Sequence, residues 1–182
     1  MTHITVRGLD HIGVTGPNIE EAETFLFEAF GVEFIYETLN RSQPPFEGAA
    51  VEQMILGPAG LSISRIRMYK LGTGPTLELF EYDAVEVQRP ALRGCDLGWQ
   101  HIALYVDDID AALARAVAAG AEKLNDPWDL TRAEGGPGNK FCFIKAPWGG
   151  LIELITYPSP KPYEQDTALR RWKPPVSPSV SG

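Results

Sequence analysis

Asp10-His11-Ile12-Gly13-Val14-Thr15 recurs further along the chain as Gln100-His101-Ile102-Ala103-Leu104-Tyr105. The register survives beyond the quoted residues. Ile19, Ala22 and Ala29 in the first copy answer to Ile109, Ala112 and Ala118 or Ala119 in the second, and each stretch closes on a glycine, Gly31 or Gly120. Self-similarity of this kind marks one supersecondary unit written twice. His11 to Val14 and His101 to Leu104 alternate as short strands, with Ile and Val or Leu on one face and the histidine on the other. Asn18 with Glu21 three residues on is a capping-box helix start, and Asp107 or Asp108 serves the second copy. Ile19, Ala22, Leu26 and Ala29 fall on one helical face, as do Ile109, Ala112, Leu113, Ala116 and Val117. Gly31 and Gly120 are natural C′ residues for those helices.

Strand-like sequence follows each helix. In the first copy it covers Phe34 to Tyr36, Gly48 to Leu56, Leu61 to Tyr69 and Pro75 to Tyr82; in the second, Lys123 to Leu124, Lys140 to Ala146 and Gly150 to Tyr157. Each copy therefore reads strand, helix, then about three strands, an α+β unit. The expected organisation is a first module over 7–83, a linker over 84–98, a second module over 99–157 and a Pro-rich tail over 158–182, either wrapped on the body or loose. The Gly-rich segment from Glu134 to Asn139 lacks the Lys-Ser/Thr of a phosphate loop and reads as a mobile turn between strands, able to close over substrate.

Composition narrows the function classes. The 182 residues carry a net charge of −8, which argues against nucleic acid or an anionic membrane surface as partner. No stretch is apolar for long enough to span a bilayer. Cys95 and Cys142 form no disulfide framework, so a reducing cytoplasm is the expected compartment, and Cys142 reads as an inert buried thiol.

The repeat also delivers four candidate metal ligands. Two of the chain's 3 histidines, His11 and His101, occupy equivalent positions, while the third, His3, reads as a solvated N-terminal residue. Thr76-Leu77-Glu78-Leu79-Phe80 aligns with Leu151-Ile152-Glu153-Leu154-Ile155, and each puts one glutamate among apolar neighbours. A lone carboxylate there suffers desolvation, which a cation or a role as base relieves. Glu81, by contrast, reads as a strand glutamate facing water. Two imidazoles and two carboxylates suit one divalent ion such as Ni, Co, Mn, Fe or Zn, with positions left for a chelating substrate. Period-two counting puts Thr15, Phe80, Tyr105 and Tyr157 on the ligand faces as candidate walls of a substrate pocket.

Through Leu9-Asp10-His11-Ile12-Gly13-Val14, Trp99-Gln100-His101-Ile102-Ala103 and Ala146-Pro147-Trp148-Gly149-Gly150-Leu151-Ile152-Glu153-Leu154, the chain resembles the vicinal oxygen chelate superfamily over about residues 7–157. That superfamily includes glyoxalase I, methylmalonyl-CoA epimerase, fosfomycin-resistance proteins and extradiol dioxygenases. The resemblance implies paired βαβββ modules, an α+β fold with a cupped, mixed sheet around a metal and helices outside. It also implies that His11, Glu78, His101 and Glu153 form the ligand set of the glyoxalase I pattern. Epimerases of the family usually carry glutamine at the position of Glu78, dioxygenases use further histidines, and bleomycin-binding members lack the ligands.

The function expected from these residues is a divalent-metal-dependent isomerase or lyase of the glyoxalase type, moving a proton next to a metal-bound carbonyl of a small substrate. The alternatives are an acyl-CoA epimerase-like enzyme, an extradiol-type dioxygenase and a metal-free small-molecule binder. Glu78 and Glu153 are the candidate bases. Glu153, flanked by Ile152, Leu154 and Ile155, sits in the drier sequence, whereas Glu78 has Thr76 and Glu81 nearby. A homodimer is expected, because the apolar strand edges of two small modules need covering.

Overall fold

Helix α1 (Ile19–Phe30) begins where its cap dictates. Asn18 is extended, and its side chain accepts the Glu21 N–H at 2.8 Å, a cap worth about 1 kcal/mol. It ends at Gly31, whose φ of 66° is left-handed and whose N–H closes on the Phe27 carbonyl. The second copy repeats this logic in α3 (Ile109–Ala118). Asp108 caps the Ala111 N–H at 3.0 Å, and Gly120 at φ 108° turns the chain out of the helix.

The computed structural model describes residues 8–83 and 88–175. His3, Arg7, the linker residues 84–87 and the tail residues 176–182 lie outside these. The chain divides into two compact units, most of the residues up to Arg89 and those from Pro90 onward. The first unit holds β1 (His11–Thr15), α1, β2 (Glu33–Leu39), β3 (Phe46–Glu47), α2 (Ala49–Met54), β4 (Ser62–Lys70) and β5 (Thr76–Asp83). The second holds β6 (Ile102–Tyr105), α3, β7 (Glu122–Lys123), β8 (Trp128–Asp129), β9 (Lys140–Lys145) and β10 (Leu151–Thr156).

Each unit contains its own mixed five-stranded sheet, ordered β1-β5-β4-β2 and β6-β10-β9-β7, with β3 and β8 added against β4 and β9. In both, the first strand pairs in parallel with the last, a pairing that needs a long crossover between them. β5 alternates by the strand period. Leu77, Leu79 and Glu81 are buried on the helix side, while Glu78, Phe80 and Tyr82 are half-buried on the other. In the second unit Cys142, Ile144, Ile152 and Leu154 are buried, as are Ile109, Leu113 and Ala116 of α3.

Three expectations need correction. Gly48 to Leu56 is not a strand: β3 ends at Glu47, and Gly48, at φ 94°, leads into α2. The reason is visible in the packing, for Val51 and Ile55 fall a turn apart and both pack, with Phe80 and Tyr82, against the cluster of Leu39, Ile63 and Ile66. Glu81 does not face water. It is 2% exposed, accepts the Ile19 N–H at 2.8 Å and is paired with Arg41 and Arg65. The Gly-rich turn is pinned rather than free. The fully buried Asn139 amide bonds the Glu134 and Ser159 carbonyls and accepts the Ser159 N–H, and a side chain at Gly136 would meet that amide at 2.7 Å.

The residues around Glu81 form an ion network on the helix side of the first sheet. Arg65 reaches Glu20 and Glu37, and Arg67 reaches Glu23 at 2.7 Å and Glu37 at 2.9 Å. A bulge between Ile63 and Arg65 makes this possible, because the extra residue Ser64 lets Ile63 stay with Tyr82 while Arg65 turns to Glu81. The Arg65 guanidinium bonding Glu20 holds that carboxyl below its ordinary range.

In the second unit the described part of the tail, residues 158–175, runs over Tyr157. The Tyr157 hydroxyl donates to the Trp172 carbonyl, and the Lys161 ammonium, almost wholly buried, sits 3.8 Å from the ring centroid.

Candidate functional site

Both candidate pairs are set by the same register. Gly13, two residues after His11, stands opposite Glu78; Ala103, two residues after His101, stands opposite Glu153. Residues two apart share a strand face, so each histidine lies diagonally across from its glutamate with only a hydrogen or a methyl between them. His11 Nε2 is 3.3 Å from Glu78 Oε2, and His101 Nε2 is 3.1 Å from Glu153 Oε2. His11 opens β1, whereas His101 falls one residue before β6. The glutamate side chains are 19% and 14% exposed, the histidines 43% and 26%.

The outer nitrogens are held as well. His11 Nδ1 lies 2.8 Å from Asp10 Oδ1, and His101 Nδ1 lies 2.8 Å from Gln100 Oε1. A carboxylate only accepts, so with Asp10 accepting the Nδ1–H, the Nε2 lone pair of a neutral His11 is aimed at another acceptor, Glu78. The bond to Asp10, reinforced by the charge of Glu78 against partial desolvation, raises the His11 pKa above the ordinary imidazole value. Two lone pairs facing each other at about 3 Å call for a cation between them, either a proton or a metal. The donors of each unit therefore fit a divalent ion in kind and convergence. Each unit supplies two; among the described residues no group of three or more His, Cys, Asp or Glu side chains is gathered as a cage.

The surroundings differ. In the first unit Phe80 and Tyr82 stack at 6.1 Å beside Glu78, and burial pushes the Tyr82 hydroxyl up while its bond with Thr15 works the other way. In the second unit Phe143, paired with Glu153, stands edge-on to the His101 ring at 5.2 Å, and Phe141 and Trp128 continue the row. Tyr105 meets Tyr157 at 4.9 Å, and Tyr157 is covered by Lys161, Arg171 and Lys173. Phe141, Phe143 and Tyr82 escaped sequence reasoning. Period-two counting along Phe141-Cys142-Phe143-Ile144 and Glu78-Leu79-Phe80-Glu81-Tyr82 would have found them.

A repeated mixed sheet of this topology, with a His–Glu pair on each copy, defines a class of two-module α+β protein. A family model described as the glyoxalase/bleomycin resistance protein/dioxygenase superfamily matches residues 10–143, and the chain belongs to that superfamily. A protein of an Actinomyces species named 2-epi-5-epi-valiolone epimerase is 34% identical over 169 residues, covering 90% of this chain and 87% of its own. Among solved structures, a glyoxalase family protein from Bacillus cereus superimposes with a TM-score of 0.64 at 20% identity, covering 86% of this chain and 97% of that one. A fosfomycin resistance protein from Listeria monocytogenes gives 0.53 at 16% identity, covering 84% and 94%. At these identities the two structures bear on the fold alone.

Proposed function

We propose that the protein is a metal-dependent epimerase that moves a proton at the carbon next to a carbonyl of a small substrate, with His11, Glu78, His101 and Glu153 as its metal ligands. The observation that carries this reading is the pair of His–Glu diagonals, each with its acceptor lone pairs opposed and its histidine tied back through Nδ1. Ni, Co, Mn, Fe and Zn all suit two imidazoles and two carboxylates. When bound, the ion supplies Lewis acidity that lowers the cost of removing the neighbouring proton.

The chain's own groups do the rest. Glu153 takes the proton from carbon, and Glu78, its repeat-related counterpart, returns one to the opposite face, giving the epimer. The two carboxyls then exchange protons with water to restore their starting states. The relative named as an epimerase favours this over one-sided glyoxalase-type isomerisation or lysis, in which a single glutamate would both remove and return the proton. We further propose a homodimer in a reducing, cytoplasmic setting. The edge strand β2 exposes Phe34, Ile35 and Tyr36, and Cys95 and Cys142 are free. Among the described residues no helix is long and apolar enough to cross a membrane.

The test is to purify the protein without chelator, measure bound metal, and incubate it with 2-epi-5-epi-valiolone in deuterated water. Stoichiometric metal, lost in His101→Ala, together with deuterium at the carbon beside the carbonyl, is the expected result. Metal-free protein that binds the compound without exchange overturns the reading in favour of a binding protein. Light scattering at micromolar concentration tests the dimer, and a monomer mass refutes it.

A further inference from the structure

The strand register of the second unit sets a further row of side chains beside the His–Glu pair. Glu153 stands opposite Ala103 on one side and Phe143 on the other. Two residues along, Ile155 stands opposite Tyr105 and Phe141, and Phe141 stands opposite Trp128 of β8. Residues two apart share a face, so Tyr105, Ile155, Phe141 and Trp128 form a row across four strands on the face that carries Glu153. The rings hold one another edge-on: Phe143 meets Phe141 at 5.9 Å, and Phe141 meets Trp128 at 6.2 Å. No side chain of the row is charged, and its outer end is open. Trp128 is 60% exposed, in a strand of only two residues. A large apolar ring left in water at the end of such a row, with polar donors at the other, marks a ligand surface rather than a core.

We infer that Trp128 is a specificity-determining residue, which with Phe141 takes the carbon frame of an alicyclic ketone whose carbonyl end lies at His101 and Glu153. Trp128 lies two strands and one register step from Glu153, about 12 Å away at the backbone. An open three-carbon hydroxyketone held at Glu153 is too short to pass Phe143, whereas a ring with its substituents reaches the row. Aromatic faces carry negative potential and attract C–H groups, so a saturated ring lies on them without needing a hydrogen bond. A rigid ring also loses little conformational entropy on a floor already fixed by its own contacts. The placement of the carbonyl rests on the proposed function; the apolar contact with Trp128 does not.

The experiment uses the full-length protein labelled with 15N at tryptophan, titrated with 2-hydroxycyclohexanone and separately with hydroxyacetone. The indole N–H signal that vanishes in Trp128→Leu is that of Trp128. The cyclic ketone is expected to move this signal, and its affinity, read from ligand line broadening, to fall by about 5–10-fold in Trp128→Leu and to recover in Trp128→Phe. Hydroxyacetone is expected to leave the signal in place. A signal unmoved by the cyclic ketone, equal movement with hydroxyacetone, or unchanged affinity in Trp128→Leu overturns the inference. So does a wild-type dimer that Trp128→Leu splits in light scattering, because a second copy then occupies the row. Protein that gives the indole response yet binds no metal and exchanges no deuterium upholds the inference and refutes the epimerase reading instead. Metal-bound, exchanging protein whose Trp128 signal stays unmoved does the opposite.

Discussion

The two units share a strand order, a parallel closing pair and a His–Glu diagonal, yet they surround that diagonal with different chemistry. The first unit packs a short helix, α2, against the cluster that includes Phe80 and Tyr82, and ties its other sheet face to α1 with arginines and glutamates. The second lines the face that carries Glu153 with aromatic rings, Phe143 beside His101 and Phe141 and Trp128 behind it, and covers Tyr157 with its tail. The lesson is that the repeat preserves the backbone register and the four donors, while each copy solves packing separately. Copies so related divide labour readily, since the donors are matched and their neighbours are not.

The sharpest break in the comparison is catalytic. If Glu153 removes the proton, Glu153→Gln should lose turnover by about 10³-fold while keeping most metal affinity, since general base catalysis contributes about 10²–10⁴. In the same assay Glu78→Gln should retain one-sided deuterium exchange while losing epimer formation. Exchange that survives in Glu153→Gln and vanishes in Glu78→Gln reverses the two roles. Next comes stability. Glu81→Ala strips the buried Arg65 of one partner and the Ile19 N–H of its acceptor. A loss of about 3 kcal/mol in urea unfolding is expected, at the low end for breaking a buried pair because Glu20 and Glu37 remain.

Smaller is the acid response of the network. Glu20 is held below its ordinary pKa, so its contribution is present above the unfolded value and is lost as pH falls through the depressed one. An Arg65→Met variant should show a flatter decline of melting temperature between about pH 5 and 3 than the wild type. The mildest test concerns the thiols. Burial pushes the Cys142 thiol up to about 11, whereas Cys95 is exposed. Native protein should consume one equivalent of a thiol reagent near neutral pH and unfolded protein two.

Much of this was legible in the sequence. The helices announced themselves through Asn18, Asp108 and their glycines, and the His–Glu register followed from the repeat. What escaped was set by side chains distant in the chain. Glu81 reads as polar, and only Arg41, Arg65 and the first N–H of α1 turn it inward. That also weakens the reason given for ranking Glu153 drier than Glu78, because Glu81 lies on the opposite face of β5. Gly48 to Leu56 has strand-like composition, and its helical packing depends on Leu39 and Ile66, which no local window contains. Gln100 and Asp10 were visible as repeat equivalents, but two such different residues signal a shared task only once both are seen on an Nδ1 atom.

The parallel closing pairs have a kinetic consequence. His11 pairs with Thr76, and Ile102 with Ile152, so each donor pair is assembled only when the two ends of its module meet. The entropy of closing these loops differs by only about 0.2 kcal/mol, because the cost grows with the logarithm of length. Non-local parallel pairing is nonetheless slow to nucleate, and the shorter loop with fewer intervening elements should close earlier. Pulse-labelled hydrogen exchange during refolding should protect the amides of β6 and β10 before those of β1 and β5. The His–Glu pairs would then be among the last contacts each module completes, which makes metal uptake a reporter of finished folding.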